Sequence, residues 1–160
     1  MRTMFGVTLI LLCGLSLGFS RASALKKRED ALNDLKGLMT ALRAEIAYAS
    51  RPLGETICML TQSSICRAAA QSPFVRSDPQ AALRSAGEEC FSHPKDQKLF
   101  LEWVAGLGST DTEGQIRRID LFLARLEQNL LEAAQDRAAK SRLYVCLGFC
   151  GALSLCILLL

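Results

Sequence analysis

The chain has 160 residues and a formal net charge of +3, a size that suits one domain or one domain with anchors. So small a net charge supplies no general positive field, and nucleic acid is therefore not predicted as a partner. Half of the residues are hydrophobic, which is high for a soluble protein and typical of a chain with membrane segments.

The N-terminal stretch Thr3–Ser20 contains no charged residue. As a helix it would be about 27 Å long, close to the thickness of the hydrocarbon core of a bilayer. The sequence therefore predicts a transmembrane helix over residues 3–20. A cleaved signal peptide is the alternative, because Ala22–Ala24 resembles a cleavage site. The positive run Lys26–Arg28 follows directly and resists translocation, which favours a retained anchor.

A helical pattern continues from this segment. Apolar residues repeat at heptad-like spacing between Leu25 and Ala49, and charged residues occupy the other faces. We predict one helix that runs on from the membrane segment without a break. Arg51 and Pro52 end it, because proline lacks an amide donor and disfavours helix in the residue before it. Pro52 is expected at the first position of the next helix.

Proline and glycine divide the middle of the chain into short helices. One helix is predicted over residues 52–71, and a second over residues 79–90 after the capping residue Asp78. A third is predicted over Lys95–Leu107, where two glycines end it. Phe100 and Trp103 lie on its apolar side and are predicted to belong to the core.

The longest helical pattern lies in the last third of the chain. Thr110 is predicted to cap it, with Glu113 completing a capping box and Asp111 placing negative charge at the positive end of the helix dipole. An apolar stripe at steps of three and four predicts one helix from about Thr112 to Leu160. Its end, Leu143–Leu160, is uncharged and predicts a second transmembrane helix over residues 143–160.

Basic residues flank both uncharged segments on their inner sides, in Arg21–Arg28 and in Arg137–Arg142. Positive charge marks the cytoplasmic side of membrane segments. We therefore predict a two-pass membrane protein with residues 21–142 in the cytoplasm and both termini outside.

No segment alternates apolar and polar residues with the two-residue period of a strand. The predicted fold class is all-α, an antiparallel helical bundle of about five helices flanked by N- and C-terminal transmembrane helices. Residues 21–50 and 112–142 would each form a rod of about 45 Å. Because both rods leave the same face of the bilayer, the simplest packing sets them side by side and antiparallel.

The sequence lacks the patterns that mark common enzymes, such as G-x-x-x-x-G-K-[ST], H-E-x-x-H and G-x-S-x-G. His93 is the only histidine and is predicted to be a solvated turn residue. We predict no catalytic, cofactor-binding or metal-binding residue, no cofactor and no enzymatic activity. Cys58, Cys66 and Cys90 are interpreted as small hydrophobes. The alternative is a membrane-tethered enzyme or thiol sensor that uses them.

Several polar residues near the predicted helix ends have two interpretations. Glu45 and Tyr48 lie one turn apart, and they either form caps or inter-helix hydrogen bonds or contact a partner. Gln115 is predicted to bond to the turn before it. Arg117 and Arg118 either form an exposed face or meet an acidic partner.

Three parts of the chain follow a known pattern in order and spacing. The first is the apolar start that ends in Gly18-Phe19 together with the run Leu35–Glu55. The second is the segment Leu107–Gln115, which includes Thr110, and the third is the hydrophobic tail. The matching residues are Glu45, Ile46, Tyr48, Pro52, Leu53, Gly108, Asp111 and Gln115. Over nearly its whole length the chain resembles the stage III sporulation protein AB family of endospore-forming bacteria.

This resemblance implies a role. The family is similar to the cytoplasmic helical domain of the inner-membrane platform protein of type II secretion and type IV pilus systems. The resemblance implies that the chain is a non-enzymatic component of a channel complex that links mother cell and forespore, and that it lies in the mother-cell membrane. The implied partners are a cytosolic ATPase of the complex, its other membrane proteins and the lipid bilayer. A platform protein that serves secretion or a pilus is the alternative.

Overall fold

A computed structural model of the chain describes the backbone of residues 2–48 and 51–159, and the side chains of residues 16, 18–48, 51–151 and 154. Within these residues all regular structure is helical, which confirms the all-α class. Six helices form instead of about five: α1 Arg2–Tyr48, α2 Leu53–Met59, α3 Ser64–Ala70, α4 Pro79–Cys90, α5 Pro94–Ala105 and α6 Thr112–Leu159.

The two long helices run without a break, as predicted from the sequence. In α1 the helix continues from Arg2 through the basic run to Tyr48, and α6 continues from Thr112 to Leu159. Ala49, Ser50 and Leu160 lie outside the described residues. The chain divides into two compact units. We call Asp30–Leu131 the head, and Met1–Glu29 together with Glu132–Leu160 the hairpin unit.

The head has a core that α1, α5 and α6 fill with large apolar side chains. The parts of α1 and α6 in the head pair antiparallel, because Lys36 Nζ lies 2.8 Å from Glu127 Oε1 and Arg43 Nε lies 2.7 Å from Asp120 Oδ1. Exposed ion pairs of this kind add little stability but are consistent with one register. The fully buried side chains include Leu32, Leu35, Met39, Leu42, Phe100, Trp103, Ile119 and Leu126.

The single helix predicted over residues 52–71 is wrong, because two short helices form there. Pro52 is the N-cap of α2 and not its first helical residue. The chain turns after Met59, and Ser63 caps α3 with its side chain. Asp34 of α1 reinforces this start, because its Oδ2 accepts from Ser64 N at 2.8 Å and from Ser64 Oγ at 2.5 Å. The carboxylate of Asp34, which is distant in sequence, therefore stabilises the break between α2 and α3.

We expect Asp34→Ala to destabilise the head by about 1–2 kcal/mol, since it removes a charged acceptor from the first amides of α3. Chemical denaturation of the purified full-length chain measures the change. Asp30→Ala, an exposed aspartate one turn earlier in α1, is the control and should change stability by less than about 0.5 kcal/mol. Equal midpoints for the two variants would contradict the capping role.

The starts of α4 and α5 follow the prediction at their prolines. Asp78 Oδ1 accepts from Ala81 N at 2.9 Å, and Pro79 is the first residue of α4. Pro94 begins α5, but His93 before it makes no capping hydrogen bond with its side chain. His93 was predicted to be solvated, but it is half-buried. Its Nδ1 is enclosed and lies 3.7 Å from Asp96 Oδ2. Asp96 is 1% exposed and accepts from Asn129 Nδ2 at 3.0 Å, which ties α5 to α6.

The last helix begins at Thr112 as predicted, but its N-cap lies one residue later than the predicted Thr110. The carbonyl of Asp111 accepts the first helical bond from Gln115 N at 2.9 Å, so Asp111 holds the N-cap position assigned to Thr110. Glu113 pairs with Arg117 of the next turn. Gln115 Nε2 donates to Thr110 O at 2.9 Å, which confirms the predicted bond to the preceding turn.

The hairpin unit pairs the remaining parts of α1 and α6 antiparallel. Glu29 Oε2 accepts from Arg137 Nη1 at 3.0 Å, and a Cβ on Gly18 would lie 2.8 Å from the carbonyl oxygen of Tyr144. The two backbones thus approach closely where residue 18 has no side chain. Exposed large apolar side chains occur nearby in the chain, at Phe19, Leu143, Leu147 and Phe149.

The predicted membrane segments 3–20 and 143–160 lie in large part outside the described side chains. Among the residues that are described, no helix contains a stretch that is both long and apolar enough to cross a bilayer.

Candidate functional site

Two segments distant in sequence meet at one surface of the head. The end of α1 and the start of α2 form one wall of a cleft, and the α5–α6 turn with the first turn of α6 forms the other. We call this cleft, of about 300 Å³, the Glu45 cleft. Its lining residues are Leu42, Glu45, Ile46, Arg51, Leu53, Thr56, Leu107, Gly108, Thr112 and Gln115.

Glu45 and Arg51 are the charged residues that line this cleft. The Glu45 side chain is 32% exposed, but its Oε2 atom is enclosed and accepts no hydrogen bond. Arg51 Nη1 lies 3.8 Å from this oxygen, too far for a hydrogen bond, and donates instead to Met59 Sδ at 2.9 Å. The carboxylate therefore has a nearby positive charge but no donor.

Two other polar side chains of the cleft, those of Thr56 and Gln115, donate to carbonyl oxygens of the backbone around it. Thr56 Oγ1 donates to Pro52 O at 3.2 Å, and the Gln115 amide donates to Thr110 O. Gly108 has a φ of 76°, a backbone conformation that favours glycine, and it lets the chain turn from α5 into α6. These contacts fix the walls of the cleft, and Glu45 Oε2 is the enclosed side-chain atom of the lining that has no hydrogen-bond partner among the described residues.

The remaining residues singled out in the sequence fall outside the cleft. The Tyr48 ring is 91% exposed, so an inter-helix role does not fit it and partner contact stays as its interpretation. Pro52 is exposed and lines a neighbouring depression beside Glu55 and Met59. Thr110 and Asp111 are exposed in the turn before α6. They lie outside the cleft but contact its wall, because the carbonyl oxygens of Thr110 and Asp111 accept hydrogen bonds from Gln115.

Arg117 and Arg118 differ although they are adjacent. Arg117 is exposed and its Nη2 lies 3.1 Å from Glu113 Oε1. Arg118 is partly buried, lies against Gly106 and donates from Nη2 to Glu102 O at 3.1 Å. Its guanidinium also lies 5.5 Å from the centroid of the Phe122 ring. Arg118 thus stabilises the end of α5 and is not the exposed residue that was one of its interpretations.

Comparison with known proteins identifies the family. The sequence model described as "Stage III sporulation protein AB (spore_III_AB)" matches residues 3–160. The chain belongs to the stage III sporulation protein AB family. This confirms the resemblance drawn from the sequence. No curated protein matches the chain, and no solved structure matches it either.

Three polar residues of the cleft were not assigned to a site from the sequence of this member of the sporulation family: Arg51, Thr56 and Thr112. Arg51 was assigned only to the end of α1, and Thr112 only to the start of α6. A signal for Arg51 existed, because it lies between the motif residues Tyr48 and Pro52. Nothing in the sequence shows that Arg51 lies beside Glu45 or that Thr112 lines the same cleft.

The three cysteines of the head lie in different environments. Cys66 is buried, and burial, with a smaller effect of the Asp34 charge, raises the pKa of its thiol to about 12. Burial also raises the pKa of the Cys90 thiol. Cys58 is exposed, so it is not the buried hydrophobe that was expected. No group of residues that could hold a metal ion occurs in the described part of the chain.

Iodoacetamide at pH 8 should therefore modify the exposed Cys58 in the folded chain far faster than the buried Cys66, whose thiolate population is about a thousandfold below that of an ordinary cysteine. Mass spectrometry of the modified peptides measures both rates, with the unfolded chain as the control in which they converge. Equal modification rates for Cys58 and Cys66 in the folded chain would contradict this prediction.

The raised pKa of the Cys66 thiol also implies that the free energy of unfolding falls as the pH rises from about 9 to about 12, because the thiol of the unfolded chain ionises at a lower pH.

Proposed function

We propose that the chain is a non-enzymatic membrane component of the sporulation channel that links mother cell and forespore, and that its head binds a cytosolic ATPase of this secretion-like complex. The proposal is carried by the convergence of the Glu45–Leu53 and Gly108–Gln115 segments at the Glu45 cleft. These segments hold most of the residues on which the family resemblance rests. A cleft assembled from them, with one unsatisfied carboxylate, has the properties of a docking surface.

We further propose that residues 3–20 and 143–160 of the hairpin unit lie in the mother-cell membrane, with residues 21–142 in the cytoplasm and both termini outside. The uncharged sequences of residues 3–20 and 143–160 support this, as do the exposed apolar side chains near them. Close backbone approach at Gly18 also supports it, because small residues at contacts are typical of helices that associate in membranes. Digestion of the head by a protease added outside intact cells would refute this topology.

The other membrane proteins of the channel are the further partners in this proposal. The alternative of a platform protein for type II secretion or a type IV pilus differs in its gene neighbourhood, which would contain pilins and not sporulation genes. The alternative of a thiol sensor has less support, because the raised pKa values of Cys66 and Cys90 suppress the reactive thiolate.

Co-purification of the full-length chain with the ATPase from detergent-solubilised membranes tests the docking role. We expect Ile46→Asp, in the cleft, to abolish retention of the ATPase. Leu121→Asp, an exposed position on α6 outside the cleft, is the matched control and should retain it. Failure of the wild-type chain to retain the ATPase would overturn the proposal.

A further inference from the structure

Within the part of the chain that the structure describes, the Glu45 carboxylate is incompletely satisfied. Its Oε2 is enclosed but accepts no hydrogen bond, and the nearest cationic nitrogen, Arg51 Nη1, is 3.8 Å away. Arg51 directs that same nitrogen at the thioether of Met59, a weak acceptor. A carboxylate oxygen shielded from water without a donor is destabilising, so a donor supplied from outside would be bound favourably.

We propose that Glu45 is the binding point for a lysine or arginine side chain of the ATPase, an inference that rests on the proposed function. The cleft suits such a side chain along its whole length. Ile46 and Leu53 are half-buried and provide apolar surface for the methylene stem, and the cationic head would take the place of Arg51 beside Glu45 Oε2. The resulting charge-assisted hydrogen bond is stronger than a neutral one.

The remaining groups of the cleft favour a cation over other ligands. Its donors on Thr56 and Gln115 already bond to carbonyl oxygens, so an anionic ligand would rely on the Thr112 hydroxyl and on Arg51, which already donates to Met59. The exposed carboxylates of Glu55 and Asp111 belong to the segments that form the cleft walls. Both add negative charge near the entrance and would attract a positively charged partner.

The Glu45–Arg51 pair predicts opposite changes in affinity when one or the other residue is replaced. If a partner cation competes with Arg51 for the carboxylate, removing Arg51 should strengthen binding, whereas removing Glu45 should weaken it. We expect Glu45→Gln to weaken the affinity of the full-length chain for the ATPase by about tenfold or more. Arg51→Gln should tighten it several-fold. Glu88→Gln, an exposed carboxylate of α4 that makes the same change of charge outside the cleft, should leave it unchanged.

Isothermal titration of the detergent-purified chain with the ATPase gives the three affinities, and circular dichroism verifies folding. If Glu45→Gln binds as tightly as wild type, or if Arg51→Gln binds more weakly than wild type, the inference is wrong while the proposed function stands. A wild-type chain that binds no ATPase would instead overturn the proposed function and the inference with it. The Arg51→Gln result decides the inference even if Glu45→Gln does not fold.

Discussion

Replacement of Gly87 by alanine is expected to destabilise the head by about 3 kcal/mol. Gly87 lies in α4 with the ring of Phe100 directly against its backbone, so that a Cβ would overlap the ring. The ring has little room to move, because Phe100 is fully buried with Phe91 at 5.2 Å and Trp103 at 5.8 Å between ring centroids. The added methyl group would therefore displace either the aromatic cluster of Phe91, Phe100 and Trp103 or the helix α4.

Gly37→Ala is the matched control, and its effect should have the opposite sign. Gly37 is also helical, but nothing lies within 4 Å of a Cβ built on it. Alanine there should stabilise the head by roughly 0.5–1 kcal/mol through its better helix propensity. Denaturant unfolding of the full-length chain compares the two variants. The close packing of α4 on Phe100 would be disproved if Gly87→Ala unfolded at the same denaturant concentration as wild type.

The parts of the fold that the sequence predicted are those encoded locally. Asp78 with Pro79 marks the start of α4, because the capping bond and the fixed φ of proline act within a few residues. The continuity of α1 and α6 follows from apolar periodicity without an internal proline. The antiparallel pairing in the head is not local; it was predicted because two rods of similar length were expected to leave the same face of the bilayer, and the pairs Lys36–Glu127 and Arg43–Asp120 confirm it.

The errors occurred where a contact distant in sequence decides the local structure. The break between α2 and α3 depends on Asp34, whose carboxylate lies in α1 and accepts from Ser64. Arg118 looked like half of an exposed basic pair, but it packs on Gly106 and bonds to the carbonyl of Glu102. Periodicity and capping rules describe neighbours within one or two turns, so neither contact could be derived from them.

The candidate site was predicted as separate pieces. Glu45, Gly108 and Gln115 were singled out separately: Glu45 as a cap, an inter-helix hydrogen bond or a partner contact, Gly108 as a helix stop, and Gln115 as a contact to the turn before it. The structure brings all three to one cleft because α1 and α6 are antiparallel in the head, which places the end of one beside the start of the other. Arg51 gains its significance only there, since its relation to Glu45 is a distance and not a sequence pattern.

The second large effect is expected from replacing Gly18, in the hairpin unit, by valine. Valine there would force its side chain against the Tyr144 carbonyl, because even a Cβ would lie 2.8 Å from that oxygen and 3.3 Å from the Cα of Val145. Both obstacles are backbone atoms that cannot rotate away, so the helices must separate. We expect a loss of about 3 kcal/mol in local stability, seen as roughly hundredfold faster amide exchange in the hairpin unit.

Hydrogen exchange measured by mass spectrometry on the full-length chain in detergent localises the change. Gly151→Val is the control, because nothing lies within 4 Å of a Cβ at that position, and its exchange should match wild type. Exchange in the head should be unaffected by either variant. If Gly18→Val left the hairpin unit as protected as before, the two helices would not be in backbone contact. The proposal of a membrane-embedded pair would then lose the packing on which it relies, and only the uncharged sequence and the exposed apolar side chains would support it.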